Sequence, residues 1–329
     1  MLEKFIDAHV HLNTPSREKM EMAIKHNVSF LSINTHIPFF EPLIKQEEVV
    51  MELQKNYPGR IQFITSFDFK EWGNENFAQS AIEQIKRGMQ NGAVGVKIWK
   101  DVGFDLHDAK GNFVMIDDPV FDPIFEYLVK NNILLIGHQG EPRNCWLPLE
   151  EMTVDSDRDY FREHPEYHMF LQKHYPSYED QMQARDNMLE KFPDLKYVGL
   201  HLFSLEWSIE EVAARLEKYP NSKTDLAERI CHLQLQAKEN WKEVRDFCIK
   251  YQDRIMYGTD IIDDGNTPAE SIAQRFENIW EFHYKFFATG EILNAPEFEG
   301  NFNGLDLPEE VVKKLFYTNA KNTYGFSEI

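Results

Sequence analysis

The sequence has little positive charge and little cysteine, and each shortage excludes a class of protein. It has 35 Lys and Arg residues against 55 Asp and Glu residues, which gives a net charge of −20 at pH 7. No nucleic-acid partner is expected, because binding to phosphates needs clustered Lys and Arg. Its three cysteines, an odd number without regular spacing, are Cys145, Cys231 and Cys248. They predict free thiols in a reducing compartment, and hence a cytoplasmic protein.

Long apolar runs are also missing. No stretch approaches the ~18 consecutive apolar residues that a membrane-spanning helix needs, so no membrane partner is expected. A first strand is predicted from about residue 4, which leaves no room for a signal peptide, and none is expected. The 42% of hydrophobic residues can form a large core, and the length of 329 residues suits one barrel with insertions as well as two domains.

The segment 5–12 contains two histidines, His9 and His11, separated by one valine. Side chains alternate between the two faces of a strand, so these histidines project from the same face. Two imidazoles at this spacing can bind one divalent cation, although such pairs also occur as ordinary surface or core residues. Strict alternation predicts that Phe5, Asp7, His9 and His11 form a polar inner face. Ile6, Ala8 and Val10 would form the apolar outer face.

Four further apolar runs carry a residue able to bind a metal or move a proton. The runs are 93–99, 132–138, 197–202 and 254–260, and these residues are Lys97, His138, His201 and Asp260. In a parallel barrel the carboxyl ends of all strands lie at one rim, so residues far apart in sequence converge there. Any one of them alone is explained as a polar strand end, but the ordered set predicts a functional site.

Strand-like and helix-like segments alternate along the chain, which predicts βαβ units and a parallel sheet. Besides the runs described above, we expect strands at 28–34, 61–67 and 222–226. Helices are expected between them, among others at 77–91, 119–130 and 209–218.

These motifs together resemble the metal-dependent amidohydrolase superfamily, and within it the single-domain branch that also contains decarboxylases and lactonases. The matching segments are 7–11, 95–98, 137–138, 199–202, 257–260 and a closing helix at 319–326. The resemblance implies an α/β fold with a single (β/α)8 TIM-barrel domain over residues 1–329. About fifty residues separate His138 from the next predicted strand, which indicates an insertion at about 140–190, after strand 5. A helical extension is expected at the C-terminus.

The resemblance also implies one or two divalent metal ions that activate a water molecule. His9, His11 and Asp260 would bind one ion, and His138 would also be a ligand. His201 is either a ligand of a second ion or the group that polarises the substrate carbonyl. Asp260 would take the proton of the activated water, so Asp260 and His201 are the expected catalytic residues. Such ligands suit zinc first, and manganese, iron or nickel as alternatives.

Lys97 has two interpretations. In the binuclear branches of the superfamily, the lysine at this place carries CO₂ as a carbamate that bridges the two metals. The alternative is an ammonium group that contacts a substrate carboxylate or acidic neighbours. The single-domain branch commonly lacks the carbamate and binds one metal, so this sequence combines features of two branches.

The segment after His138 supplies the candidate substrate-binding residues. Arg143 and Trp146 are suited to holding a carboxylate or stacking on a ring, and Glu141 to binding metal or orienting Arg143. A long insertion at the rim that carries the site predicts a lid or a specificity loop. Arg185 is expected on a helix, where it either reaches the rim or forms an exposed ion pair, the commoner outcome.

Three functions remain open at this point. The first is metal-dependent hydrolysis of an amide, lactone or ester bond in a small polar molecule. The second is non-oxidative decarboxylation of a carboxylated ring, which uses the same metal site. The third is a binding protein without activity, which would not need the complete residue set. A homodimer is expected only because oligomers of this kind are common.

Overall fold

The structure is a computed structural model that describes residues 2–327. Strands and helices alternate along the chain. The strands are β1 (Phe5–Leu12), β2 (Val28–Ile33), β3 (Ile61–Ser66), β4 (Val96–Ile98), β5 (Leu135–Gly137), β6 (Tyr197–Gly199), β7 (Ser222–Asp225), β8 (Ile255–Met256), β9 (Ile261–Asp263), β10 (Ile292–Asn294) and β11 (Asn301–Asn303). The helices are α1 (Glu18–Lys25), α2 (Leu43–Asn56), α3 (Phe77–Gln90), α4 (Asp122–Lys130), α5 (Asp155–Glu163), α6 (Tyr178–Lys191), α7 (Leu200–Phe203), α8 (Ile209–Lys218), α9 (Ile230–Lys250), α10 (Ala269–Ala288), α11 (Glu309–Lys313) and α12 (Asn319–Tyr324).

The parallel sheet closes into a barrel through an eighth strand that is divided in two. The strand order is β8-β7-β6-β5-β4-β3-β2-β1-β9, so β8 pairs with β7 and β9 pairs with β1. Between β8 and β9, Ala8 N–H donates to the carbonyl of Tyr257 at 3.0 Å, and Asp260 N–H donates to that of His9 at 2.8 Å. These bonds close the ring, which confirms the predicted (β/α)8 barrel. The prediction of an unbroken strand over 254–260 is wrong, because Asp260 has a left-handed backbone (φ 62°).

A bulge in β1 changes which residues face the barrel interior. Asp7 is paired with Phe30 but Val10 with Ser32, so β1 has one extra residue between these pairs. Before the bulge, Asp7 lies on the outside and accepts a hydrogen bond from the indole of Trp280 on α10. After it, Val10 packs in the outer core layer and His9 faces inward. Strict alternation is therefore wrong for the first half of this strand.

Apolar side chains fill the interior of the barrel and close its lower end, where the strands begin. The interior cluster contains strand residues Ile6, Ala8, Leu31, Ile33, Ile64, Ile136, Val198 and Met256. The same cluster includes Tyr317, Ala320, Tyr324 and Phe326 from the C-terminal segment, which runs through a π-helical turn (Lys314–Thr318) into α12. The predicted C-terminal helical extension is thus present, and it acts as an apolar plug.

The segment between β5 and β6 is a packed layer of short helices. Its first helical turns are followed by α5, whose N-terminal amides are bound by one residue of the β10–β11 hairpin. The Glu297 carbonyl accepts from Asp155 N–H at 2.8 Å, and its carboxylate accepts from Ser156 N–H at 3.0 Å. The final helix, α6, begins with a capping box formed by Ser177 and Asp180.

The structure tests the predictions made for Arg185 and for the three cysteines. Arg185 on α6 is fully buried rather than exposed, because its guanidinium binds Asp186 and the carbonyl of Phe203 inside the protein. The three cysteines are free thiols, as predicted. None of the helices within residues 2–327 combines the length and the apolar composition that crossing a membrane requires.

Candidate metal centre

His9 lies between two aspartates at the upper rim of the barrel. Its Nδ1 is 2.6 Å from Asp225 Oδ2, at the end of β7, and its Nε2 is 3.1 Å from Asp260 Oδ1. Burial opposes the ionisation of this imidazole, but the charges of Asp260 and Asp225 raise the pKa of His9 to about 9. A cation at this position would replace that proton.

His11 faces the same carboxylate with a nitrogen lone pair. Its Nδ1 lies 2.7 Å from the carbonyl of Ile33, which can only accept, so Nδ1 carries the proton. Burial lowers the pKa of His11 to about 4, so its Nε2 is unprotonated at neutral pH. This Nε2 is 3.2 Å from Asp260 Oδ1. Two donors each about 2.1 Å from a tetrahedral zinc lie about 3.4 Å apart, which is close to the spacing seen here.

His201 stands on a turn of left-handed backbone directly after β6. The residues His201, Leu202, Phe203 and Ser204 have φ of 56°, 57°, 60° and 54°. The predicted continuation of the strand to Leu202 is therefore wrong. Each left-handed residue costs roughly 1–2 kcal/mol, so the rest of the fold must hold the turn in place. Gly199 permits it, because a Cβ there would lie 2.1 Å from the Phe203 ring.

The left-handed turn directs the free nitrogen of His201 into the site. The Nδ1–H group donates to the carbonyl of Ala227 at 2.9 Å, and the backbone N–H donates to Asp225 Oδ1 at 2.6 Å. Burial lowers the pKa of His201 to about 3, so its Nε2 is an unprotonated atom at neutral pH. This Nε2 lies 3.8 Å from Asp260 Oδ2.

Asp260 is held by its neighbours at the division of the eighth strand. Asp7, outside the barrel, accepts from the Thr259 N–H at 2.9 Å and from the Thr259 hydroxyl at 2.8 Å. The carboxylate of Asp260 then turns inward, with Oδ1 towards His9 and His11 and Oδ2 towards His201. Although burial disfavours its charge, the charge of His9 holds the pKa of Asp260 well below its usual range.

The donor set fits a divalent metal ion. Buried polar atoms normally have hydrogen-bond partners, yet several of those described at this rim have none, among them His9 Nε2, His138 Nε2, His201 Nε2 and Asp260 Oδ1. Two sets of ligand atoms, each within 4.8 Å of one another, share Asp260. They are His9, His11 and Asp260, and His201, Glu228 and Asp260. Imidazole nitrogens and carboxylates in such groups are metal ligands of zinc and its neighbours in the first transition row.

Comparison with known families agrees with this geometry. A family model described as amidohydrolase matches residues 6–326. The chain belongs to the amidohydrolase family. Membership confirms the resemblance seen in the sequence and shows that the protein is an enzyme. Comparison with curated proteins gave no significant sequence match.

Two solved structures share the fold of this amidohydrolase. One is a protein from Pseudomonas putida named as a 2-pyrone-4,6-dicarboxylic acid hydrolase, with 12% identity, full coverage of both chains and a TM-score of 0.51. The other is a D-hydantoinase (dihydropyrimidinase) from Thermus sp., with 12% identity and a TM-score of 0.53. That match covers 98% of this chain and 70% of the hydantoinase. At this identity the two structures support the fold alone.

His138 and Lys97 lie beside the donor groups of this amidohydrolase but not within them. The His138 ring centroid is 4.3 Å from that of His201, and burial lowers the pKa of His138 well below its usual value. Lys97 is buried on the inner face of β4, and burial lowers its pKa to about 8. Within residues 2–327, no carboxylate oxygen lies within 4.0 Å of its ammonium nitrogen. Their roles as ligands stay predictions.

The three predicted substrate-binding residues already have protein partners. Glu141 forms an ion pair with Lys100. The Arg143 guanidinium lies 4.2 Å from the ring centroid of Trp207. Trp146 packs against Tyr178, and its indole N–H donates to the carbonyl of Pro176 at 3.3 Å. All three lie in the insertion after β5, and their contact with a substrate stays a prediction.

Two residues of the site escaped the sequence analysis. Asp225 orients both His9 and His201 with its two oxygens. It ends β7 as Asp260 follows β8, so the same strand-end pattern could have identified it. Glu228 has a left-handed backbone (φ 57°) and joins His201 and Asp260 in the second donor group. No periodicity marks Glu228, because it lies in a loop.

Proposed function

We propose that this amidohydrolase hydrolyses an amide, lactone or ester bond of a small polar molecule with the help of a divalent metal ion. The observation that carries the proposal is the convergence of two unprotonated nitrogens, His11 Nε2 and His201 Nε2, on the carboxylate of Asp260. When bound, a divalent ion polarises a carbonyl group and lowers the pKa of a water molecule from about 15.7 to about 7. Zinc is the first candidate, with manganese, iron and nickel as alternatives.

The residues offer one principal cation position and one further position. His9, His11 and Asp260 would hold the first ion, oriented by Asp225 behind His9. His201 and Glu228 would hold a second ion, with Asp260 shared between the two. His138 and a carbamylated Lys97 are additional candidates for ligands, and an ammonium form of Lys97 that contacts the substrate is the alternative.

Asp260 is the group that would move the proton. It is ionised at neutral pH. With only the first position filled, its Oδ2, on the side of His201, would be free to accept a proton from water and deliver it to the leaving group. His201 has its only proton on Nδ1, where it is donated to the carbonyl of Ala227. Its Nε2 has no hydrogen to donate to a substrate carbonyl, which favours a ligand role for His201 over carbonyl polarisation.

The proposal extends to the location and the partner of the protein. The three free cysteines support a cytoplasmic location, where thiols stay reduced. The site lies at the mouth of the barrel, and a small molecule is the partner we propose.

The metal content of the purified, undialysed protein tests the first half of the proposal. We expect one to two metal atoms per chain by elemental analysis, and a loss of at least one atom in His9→Ala. The matched control is His164→Ala, since His164 is half-exposed in the insertion and far from the donor groups in sequence. Protein that binds no metal even after reconstitution would exclude the metal-dependent mechanism.

Turnover tests the second half. The metal-loaded and metal-free proteins are incubated with a panel of amides, lactones and esters. Proton release from lactones and esters is recorded by pH-stat, and amine release from amides is measured separately, because amide hydrolysis gives no net acid at neutral pH. We expect hydrolysis by the loaded protein only. Release of CO₂ from carboxylated ring compounds, with neither proton nor amine release from the panel, would replace hydrolysis by decarboxylation.

A further inference from the structure

The left-handed turn that carries His201 is held from two sides. On the inner side, Asp225 and the carbonyl of Ala227 bind the backbone and the ring of His201. On the outer side, the contacts come from α6, the last helix of the insertion. Arg185 and Tyr178 of that helix both donate to the backbone of the turn.

Every carbonyl in the left-handed turn has a partner, and α6 supplies half of them. The carbonyls of His201 and Leu202 accept from backbone N–H groups at 3.0 Å each. The carbonyl of Phe203 accepts from Arg185 Nη1, and that of Ser204 accepts from the Tyr178 hydroxyl at 2.5 Å. The turn is fully buried. Without the two side chains of α6, the carbonyls of Phe203 and Ser204 would lose their partners, and the left-handed conformation would lose its outer contacts.

Arg185 is prepared for this contact by its neighbour on α6. Its Nε and Nη2 donate to Asp186 Oδ1 at 3.0 and 2.7 Å, which balances its charge and fixes the plane of the guanidinium. Nη1 is thereby directed at the carbonyl of Phe203. Arg215 binds the other oxygen of Asp186, at 3.2 Å, from the partly exposed side and does not reach the turn. The two arginines therefore share one carboxylate, but only Arg185 contacts the turn, whereas Arg215 also pairs with Glu211.

We propose that Arg185 is a positioning residue for His201. From the insertion, it keeps residues 201–204 in the left-handed conformation that directs His201 Nε2 at Asp260. The insertion then helps to position a residue of the site. The conformational part of this proposal stands on the geometry alone, and its consequence for catalysis rests on the proposed function.

Hydrogen exchange of the metal-free protein tests the conformational part. In Arg185→Met, we expect amides of the segment 199–206 to exchange at least about tenfold faster than in the wild type, while the segment 317–326 is unchanged. Arg185→Lys, which keeps the charge and one donor, restores part of the protection. The matched control is Arg215→Met, which disturbs the same aspartate and leaves 199–206 protected.

A second variant covers a failure of Arg185→Met to fold. Tyr178→Phe removes the hydroxyl that donates to the Ser204 carbonyl of the same turn, and it should also accelerate exchange in 199–206. Wild-type exchange in both Tyr178→Phe and Arg185→Lys would overturn the proposal. So would equal acceleration over the whole chain, because that result would show a general loss of stability.

Binding of Co²⁺ tests the consequence for the site. We expect the dissociation constant for Co²⁺ to rise by roughly tenfold or more in Arg185→Lys and to stay unchanged in Arg215→Met. An unchanged constant in both, together with faster exchange in 199–206, would overturn the link between the turn and the ligand set. If the wild type binds no Co²⁺, the proposed function fails, and the exchange result still decides whether Arg185 positions His201.

Discussion

At the upper rim of the barrel, buried polar atoms face one another without partners, whereas apolar side chains close the lower end. The rim holds the unpartnered nitrogens of His9, His138 and His201 around Asp260. The lower end holds Tyr317, Tyr324 and Phe326, packed with the aliphatic residues of the strands. The difference shows that stability and function are located at opposite ends of the barrel. The apolar plug stabilises the fold, whereas the rim holds a reactive arrangement that lowers stability.

The two ends also differ in how many of their residues have a left-handed backbone. The rim includes six non-glycine residues with left-handed φ, at positions 201–204, 228 and 260. Such residues persist only where surrounding contacts hold them, and they cluster at functional sites. At the lower end, the turns before β2 and β5 contain two such residues, Asn27 and Asn132, and asparagine adopts this conformation more readily than most residues. Substitutions at the two ends should therefore separate activity from stability.

The largest effect is expected at the rim, in Asp260→Asn. The amide cannot accept the proton of the attacking water, so kcat/KM should fall on the order of 10³-fold, within the range of general-base loss. The free energy of unfolding should change by less than about 1.5 kcal/mol, as for most single substitutions. Kinetics on a substrate found in the panel and urea unfolding measure the two quantities. If Asp260→Asn stayed active but unfolded at lower urea concentration than the wild type, the rim would contribute stability and not activity, which contradicts the comparison of the two ends.

The second effect is expected at the plug, in Phe326→Ala. Removal of this buried ring should lower the free energy of unfolding by about 3–5 kcal/mol, because it leaves a cavity in the apolar core. Metal content and kcat/KM of the folded fraction should match the wild type. The matched control is Phe39→Ala near the other end, where the ring is 70% exposed and the expected change is below about 0.5 kcal/mol. Equal losses in both variants would contradict the assignment of stability to the plug.

The smallest effect is a pH dependence that involves the plug. Burial raises the pKa of Tyr324 well above its usual value, and the charge of Asp225 adds to the shift. Its pKa in the folded state is thus higher than the value of about 10 in the unfolded chain. The stabilisation is complete below pH 10 and falls above it, by about 1.4 kcal/mol per pH unit for one such group.

Urea unfolding between pH 9 and pH 11.5 tests this dependence. Tyr324→Phe should flatten the decline above pH 10, while the variant with Phe39→Ala keeps the wild-type slope. Tyrosinate absorbance that develops before any loss of structure, and that is absent from Tyr324→Phe, would show that this hydroxyl ionises in the folded protein.

The strand-end residues of the site could be predicted because barrel topology brings the carboxyl ends of parallel strands together. His9, His11, His201 and Asp260 follow apolar runs, and the structure brings their side chains to one place. Glu228 lies in a loop that has no such pattern. The bulge of β1 was also beyond prediction, because it depends on the register between β1 and β2. The division of the eighth strand was beyond prediction too, because β9 pairs with a strand that begins the chain, as in the pair of Val10 with Ile261.

Arg185 shows the same limit for a single side chain. On a helix rich in charged residues, an arginine is expected to face water, and its burial depends on a carbonyl of a left-handed turn in another segment. By itself, the sequence determined the barrel and the kinds of residue at its rim, because apolar periodicity and strand order are local properties. Only the tertiary structure decided which nitrogen and oxygen atoms face one another, because those directions depend on bulges, left-handed turns and hydrogen bonds between distant segments.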